Sequence, residues 1–260
     1  MLVLKKIKHL IWSWSLIFIL AIASFTLVLP RTVYAESTQK LLLADASAVS
    51  ARDAFRAAYE NRYTWDQQFP GYTAEVSINH QGELDQGIVR IRPDLSVEVN
   101  NIDKEELTEL ITNQLKMEII HRRRVPFEQI HEDNKFELEG IEESGVLKIK
   151  ETGSSDNAHY QVKAQVITQV NRLLRDFAVT VDTLGIAKNP EGYLVSHFQT
   201  IFRDASTNQV LQRQDVRDFH KKNGSYYLLT AREIRSVKQA NPEDKLVADT
   251  FIRFNNIQLL

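Results

Sequence analysis

The stretch Val210-Leu211-Gln212-Arg213-Gln214-Asp215-Val216-Arg217-Asp218-Phe219-His220-Lys221-Lys222-Asn223-Gly224-Ser225-Tyr226-Tyr227-Leu228-Leu229-Thr230-Ala231-Arg232-Glu233-Ile234-Arg235-Ser236-Val237 places two β-prone runs on either side of Asn-Gly. Asn-Gly between such runs is a strong hairpin signal, because a type I′ turn needs two residues at positive φ, and Asn and Gly tolerate it best. The pattern predicts strands at 210–219 and 225–237. Working outward, further runs of the same character fall at 193–203, 177–184, 166–173, 158–164, 145–151 and 134–140, and at 246–258 beyond the hairpin. From Pro126 onward the chain reads almost wholly as antiparallel strands.

Upstream, 72–80, 87–92 and 96–100 alternate in the same way, divided by Gln81-Gly82-Glu83 and by Pro93-Asp94. Two amphipathic helices are predicted around them. The first runs from about Ser47 to Arg62, with Ala51, Ala54, Phe55, Ala58 and Tyr59 at helical spacing and Asp45 or Ser47 as N-cap. It leads into Tyr63-Thr64-Trp65 and the turn Phe69-Pro70-Gly71, an aromatic plug for a core. The second opens at Asp103 and runs to about His121, with Glu105 and Glu106 at its start and His121, Arg122 and Arg123 at its end, as the helix dipole favours.

Helix, three strands, helix, then a long meander is an α+β order. It predicts a curved, unclosed antiparallel sheet, a half-barrel, covered by two amphipathic helices. About a dozen strands are too many to close as a small filled barrel. The order resembles that of the lipoprotein-carrier fold of the bacterial envelope (LolA-like), a likeness of architecture that implies fold rather than function.

Ala51-Arg52-Asp53-Ala54-Phe55-Arg56-Ala57-Ala58-Tyr59-Glu60-Asn61-Arg62-Tyr63-Thr64-Trp65, continued by Phe69-Pro70-Gly71-Tyr72, resembles an uncharacterised family of cyanobacteria and plastid-bearing plants, domain of unknown function 3386. His121-Arg122-Arg123, Phe127-Glu128, His131, Gly192-Tyr193, Phe202-Arg203-Asp204 and Tyr226-Tyr227 extend the resemblance along the chain. It implies a photosynthetic source, hence the periplasm or thylakoid lumen, and brings no activity, ligand or catalytic residue.

The chain has 260 residues, with 32 Lys and Arg against 34 Asp and Glu. Lys5, Lys6, Lys8 and Arg31 lie in residues 1–35, which hold no carboxylate, so the body at 36–260 is acidic. An acidic body without a long basic stripe argues against a nucleic-acid partner, since neutralising phosphates needs clustered Lys and Arg. The absence of cysteine excludes disulfides, thiolate catalysis and cysteine-ligated metal. Leu10 to Leu29 carries no charge and is followed by Pro30 and Val33-Tyr34-Ala35, which reads as a secretory signal cut before Glu36. At roughly 1.5 Å per residue the apolar run spans about 30 Å, so an uncleaved membrane anchor at residues 10–30 is the alternative. Either way residues 36–260 are expected as a single exported domain.

No nucleophile elbow, phosphate loop, dinucleotide fingerprint or helical zinc motif occurs, so no catalytic residue, cofactor or metal is assigned. Ser154 and Ser155 beside Gly153 read as an ordinary turn. His121, His131 and Glu132 form the best candidate for metal ligands, but they lack ligand spacing, and His121 suits a helix C-terminus on its own account. Arg122-Arg123-Arg124 has the chemistry to hold an anionic head group, although such runs more often cap helix carbonyls in solvent. In the second helix Leu107, Leu110, Ile111, Leu115, Met117 and Ile119 share an apolar arc with Gln114 and Glu118 inside it. Glu118 then needs a partner, and Arg122 one turn on is in the favourable orientation. The functional expectation is a non-enzymatic binder of a lipid or other apolar or amphipathic molecule, lined by Phe55, Leu110, Ile111, Gln114, Leu115 and Glu118. The alternative is a protein-interaction or assembly factor for a membrane complex.

Overall fold

The computed structural model describes residues 50–153, 157–174, 176–238 and 247–260. The expected signal or anchor in residues 1–35, the N-cap candidates Asp45 and Ser47, and Ser154-Ser155 lie outside these. No helix among the described residues is long and apolar enough to cross a membrane.

Among the described residues twelve strands form one sheet: β1 (Tyr72–His80), β2 (Glu83–Ile91), β3 (Val97–Asn100), β4 (Lys135–Ile141), β5 (Leu147–Thr152), β6 (Ala158–Lys163), β7 (Val166–Leu174), β8 (Phe177–Asn189), β9 (Gly192–Asp204), β10 (Val210–Asn223), β11 (Tyr226–Lys238) and β12 (Val247–Leu259). Their order is β3-β2-β1-β12-β11-β10-β9-β8-β7-β6-β5-β4, so β3 and β4 are free edges and the sheet is unclosed. Each neighbour pair is a sequential hairpin except β1 with β12. Register shifts in seven of the eleven ladders, for example between Thr183 and Gly185 and between Phe219 and His220, increase twist and let the sheet curve. The α+β, half-barrel architecture expected from the element order is the one the chain adopts.

Helix α1 (Ala51–Glu60) starts at Ser50, whose hydroxyl accepts from the Asp53 N–H at 3.0 Å and donates to the Asp53 carboxylate at 2.6 Å. Helix α2 (Glu105–Arg122) begins two residues later than expected, after Lys104, which makes no side-chain cap. A short helix α3 (Phe127–His131) follows Pro126, where an extended chain was expected. Pro126 sits at its N-cap, a position where a missing N–H costs little. Five residues are too few for periodicity to reveal.

The hairpin read from Asn223-Gly224 exists, with a different turn. Asn223 pairs with Tyr226, so the two loop residues are Gly224 and Ser225, and only Gly224 is at positive φ (+58°). That pattern fits a type II′ turn, in which glycine takes the first central position. Asn223 remains in β10 and its amide donates to Ile257 O at 2.9 Å.

Two apolar cores lie on the same face of the sheet. The larger places Leu107, Ile111, Leu115 and Ile119 of α2 against Ala74, Val76, Ile78, Val89, Ile91, Ile252 and Phe254. The smaller packs Ala54, Phe55 and Ala58 of α1 and Phe127 of α3 against Ile149, Ala158, Tyr160 and Val162. Fully burying a side chain of this size contributes roughly 1.5–3 kcal/mol. The link from α1 to β1 supplies Tyr63, Trp65 and Phe69 to the larger core, as the expected aromatic plug. Tyr63 N–H donates to Tyr193 O at 2.9 Å, and its hydroxyl accepts from Tyr227 N–H at 2.8 Å. Trp65 stacks on Phe69 with ring centroids 4.1 Å apart and donates from Nε1 to Tyr227 O. Gly192 admits this crossing: at φ +129° it lies so close to Asn61 O that a Cβ there would sit 2.4 Å away.

Candidate functional site

The strands between the two cores carry the site. Register puts Val170 of β7, Val181 of β8, Thr200 of β9 and Gln214 of β10 in one row across the sheet. A second row holds Arg172, Val179, Phe202 and Gln212, and a third holds Thr183, Phe198, Val216 and Ile234. These rows run along the face that holds both cores, since Ile234 lies two residues from Arg232 under α2 and Val170 packs on the smaller core. Yet Val179, Val181, Phe198, Phe202, Val216 and Ile234 belong to neither core. Val181, Phe198 and Phe202 are only half-buried. Val179, Val216 and Ile234 are buried, so the product is a partly covered apolar strip with Arg172, Thr183, Thr200, Gln212 and Gln214 set into it, flanked by α1 on one side and α2 on the other.

At the edge of the strip, beneath α2, four charges are buried together. Arg232 of β11 donates from Nε and Nη2 to the two oxygens of Asp218 on β10, both at 2.6 Å, and from Nη1 to Gln114 O and Oε1. Glu118, 1% exposed, accepts from Arg122 Nε at 2.7 Å and lies 3.1 Å from His220 Nε2. Burial pushes the Glu118 carboxyl up, but Arg122, His220 and Arg232 more than reverse that and hold it well below the usual carboxylate range. Burial lowers Arg232 as well, and Asp218 and Glu118 raise it by more, so both ions persist. The Tyr72 hydroxyl, buried in the same field, has no hydrogen-bond partner among the described residues; burial raises its pKa and keeps it protonated.

A second buried group sits under α1. Glu151 accepts from His131 Nδ1 (2.5 Å), Asn134 Nδ2 (2.6 Å) and the Tyr160 hydroxyl (2.7 Å). Burial alone would raise this carboxyl, and those hydrogen bonds bring it below its ordinary value. Burial raises Tyr160 to about 12. Rings of Phe55, Tyr59, Phe127 and Phe136 enclose His131 at centroid distances of 4.9–5.9 Å.

Glu118 pairs with Arg122, as the helical phase required. Ile111 and Leu115 are fully buried in the larger core with Leu110 beside them, whereas Phe55 is in the smaller one, so the six expected lining residues do not meet around one site. Gln114 and Glu118 face the Arg232 network. The trio His121, His131 and Glu132 does not assemble: His131 is buried on Glu151, and the other two are exposed. Glu118, Asp218 and His220 do lie within 4.8 Å of one another, but guanidinium groups neutralise both carboxylates, leaving little net charge to attract a cation. The Arg122-Arg123-Arg124 run is divided, because Arg122 turns inward to Glu118 while Arg123 and Arg124 are exposed. The strip and the Asp218–Arg232 pair escaped the sequence reading. The available signal was that Asp218 and Arg232 stand in phase with Val216 and Ile234, on the face of the hairpin that must be covered.

Among curated proteins no sequence matches this chain. A solved structure, MucB in complex with MucA(peri), aligns over 81% of this chain and 94% of that one at 10% identity, with a TM-score of 0.21. The family model described as a protein of unknown function, DUF3386, matches residues 46–260, and the chain belongs to that family.

Proposed function

We propose that this protein is a non-enzymatic binder of an apolar or amphipathic molecule, which lies on the concave strip between α1 and α2. The observation that carries the reading is the strip itself: Val181, Phe198 and Phe202 stand half-buried on the core-bearing face and belong to neither core. A concave apolar surface with a few polar groups is the usual form of a small-molecule site. Thr200, Gln212 and Gln214 would orient the polar end of such a ligand. The reading shifts the contact surface from beneath α2, where Leu107, Ile111 and Leu115 are tightly packed, to the strands beside it. With the export expected from residues 1–35, the ligand would be met outside the cytoplasm.

The test is extraction of the protein as first purified, with mass spectrometry of what it carries, together with titration of fluorescent fatty acids. A co-purifying apolar molecule, or saturable binding that is lost in Phe198→Ser/Phe202→Ser while the melting temperature stays within a few degrees, is the expected result. No bound molecule and no saturable binding would end this reading. It would also return attention to the free edges β3 and β4 as protein-docking elements.

A further inference from the structure

Strands β9 and β10 run paired from Val210 opposite Arg203 to Arg217 opposite His197, and there the ladder stops. Beyond that point Tyr193 of β9 hydrogen-bonds instead to Asn61 and Tyr63, and β10 continues with β11 alone past a register shift. The two hairpins therefore part, and a cleft of about 320 Å³ opens between them. Ala187, Leu194, Phe219 and Tyr227 give it apolar walls.

Its polar lining is one-sided. Lys188 and Lys221 line the cleft, and neither has a carboxylate partner among the described residues. Asn189 also lines it; its Nδ2 is buried without a hydrogen-bond partner among the described residues, while its Oδ1 accepts from the Glu191 N–H. A buried donor left unsatisfied is costly and points to an acceptor from outside the chain. The carboxylate in the lining, Asp218, is already neutralised by two hydrogen bonds from Arg232, and His220 beside it faces Glu118. The cleft thus offers two unpaired cations and one unsatisfied donor above an apolar floor.

We propose that this cleft is a second binding site, for a compact organic anion: a carboxylate or phosphate group on a small apolar body. The anionic group sits between the Lys188 and Lys221 ammonium groups and accepts from Asn189 Nδ2, while the apolar body rests on Leu194, Phe219 and Tyr227. The volume lies at the lower end of the range for small-molecule sites, which fits a ring-sized body rather than a long chain. None of these residues belongs to the concave strip, so the inference does not depend on the function proposed for it.

Isothermal titration of the purified full-length protein with benzoate, phenyl phosphate, inorganic phosphate and benzyl alcohol tests it. Saturable binding of at least one aromatic anion is expected, weakened about tenfold or more in Lys188→Glu/Lys221→Glu. Asn189→Asp, which keeps an Oδ1 acceptor for the Glu191 N–H but replaces the donor with a negative charge, is expected to weaken it too. Binding should also fall between about 0.1 M and about 1 M salt, as the screening length drops from ~10 Å to ~3 Å. Binding by one anion alone identifies its group as the one the site takes. The same affinity in Phe198→Ser/Phe202→Ser separates this site from the strip. The proposal is overturned if neither aromatic anion binds, if the charge-reversed protein binds equally well, if benzyl alcohol matches the anions, or if inorganic phosphate matches phenyl phosphate.

Discussion

Arg232 and Asp218 face each other across the β10–β11 ladder and make two hydrogen bonds of 2.6 Å, with both side chains at most 4% exposed. Such a pair is costly to break and much less costly to replace, because removing one partner leaves the other charged and buried. Asp218→Leu should therefore lower stability by about 3–5 kcal/mol, and Arg232→Met/Asp218→Leu by clearly less than the sum of Asp218→Leu and Arg232→Met measured singly. Urea unfolding of the four proteins in a double-mutant cycle measures this. Additive losses would show that the two groups act independently.

Glu118 sets an acid limit on stability. Its folded pKa lies well below the ordinary 4.5, so its stabilising contribution is complete above that unfolded value and is lost as pH falls below it toward the folded pKa. The melting temperature of the wild type should fall as pH drops below about 4.5. Glu118→Gln should be less stable at pH 7, by about 3 kcal/mol for the stranded Arg122 charge, and should decline less steeply in acid. Parallel acid profiles for the two proteins would remove Glu118 as the cause.

Tyr160 joins the sheet to the α1 side through Glu151. Its hydroxyl donates to the carboxylate and accepts from Arg172 Nη2 at 3.1 Å. Tyr160→Phe should cost about 1.5–3 kcal/mol, the range for a hydrogen bond to a charged group. The ultraviolet absorbance titration should also lose one tyrosine that ionises near 12 in the folded protein. A variant as stable as the wild type would mean that another donor replaces the hydroxyl.

Gly192 and Gly224 both sit at positive φ, for different reasons. A methyl group at Gly192 meets the Asn61 backbone, and the two hydrogen bonds between Tyr193 and the 61–63 segment depend on that approach. Gly192→Ala should cost more than Gly224→Ala, where strain costs ~1–2 kcal/mol and the new methyl meets the Leu259 side chain rather than backbone. Asn223→Ala should lose only the bond to Ile257 O, about 1 kcal/mol. Chemical denaturation ranks the three; a larger loss at Asn223 than at Gly224 would restore Asn-Gly as the turn itself.

Much of this architecture is legible in the sequence. Strand alternation depends on neighbours in the chain, so the ladder positions of β1, β3 and β4 to β12 follow from the sequence to within a few residues, except that β8 and β10 run on for several more. The helical phase of α2 likewise placed Glu118 inside and Arg122 one turn away. Local pattern failed where a short element or one φ angle mattered, at α3 and at Gly224-Ser225. It also could not say which part of a twelve-stranded face each helix would cover. That choice depends on contacts between residues far apart in sequence: Phe55 with Tyr160, Gln114 with Arg232, and Tyr63 with Tyr193 and Tyr227. Alternation marks Phe198 and Phe202 as sharing a face. That they stand only half-buried and outside both cores follows from where α1 and α2 come to rest, because burial is settled by packing across the whole sheet rather than by any run along the chain.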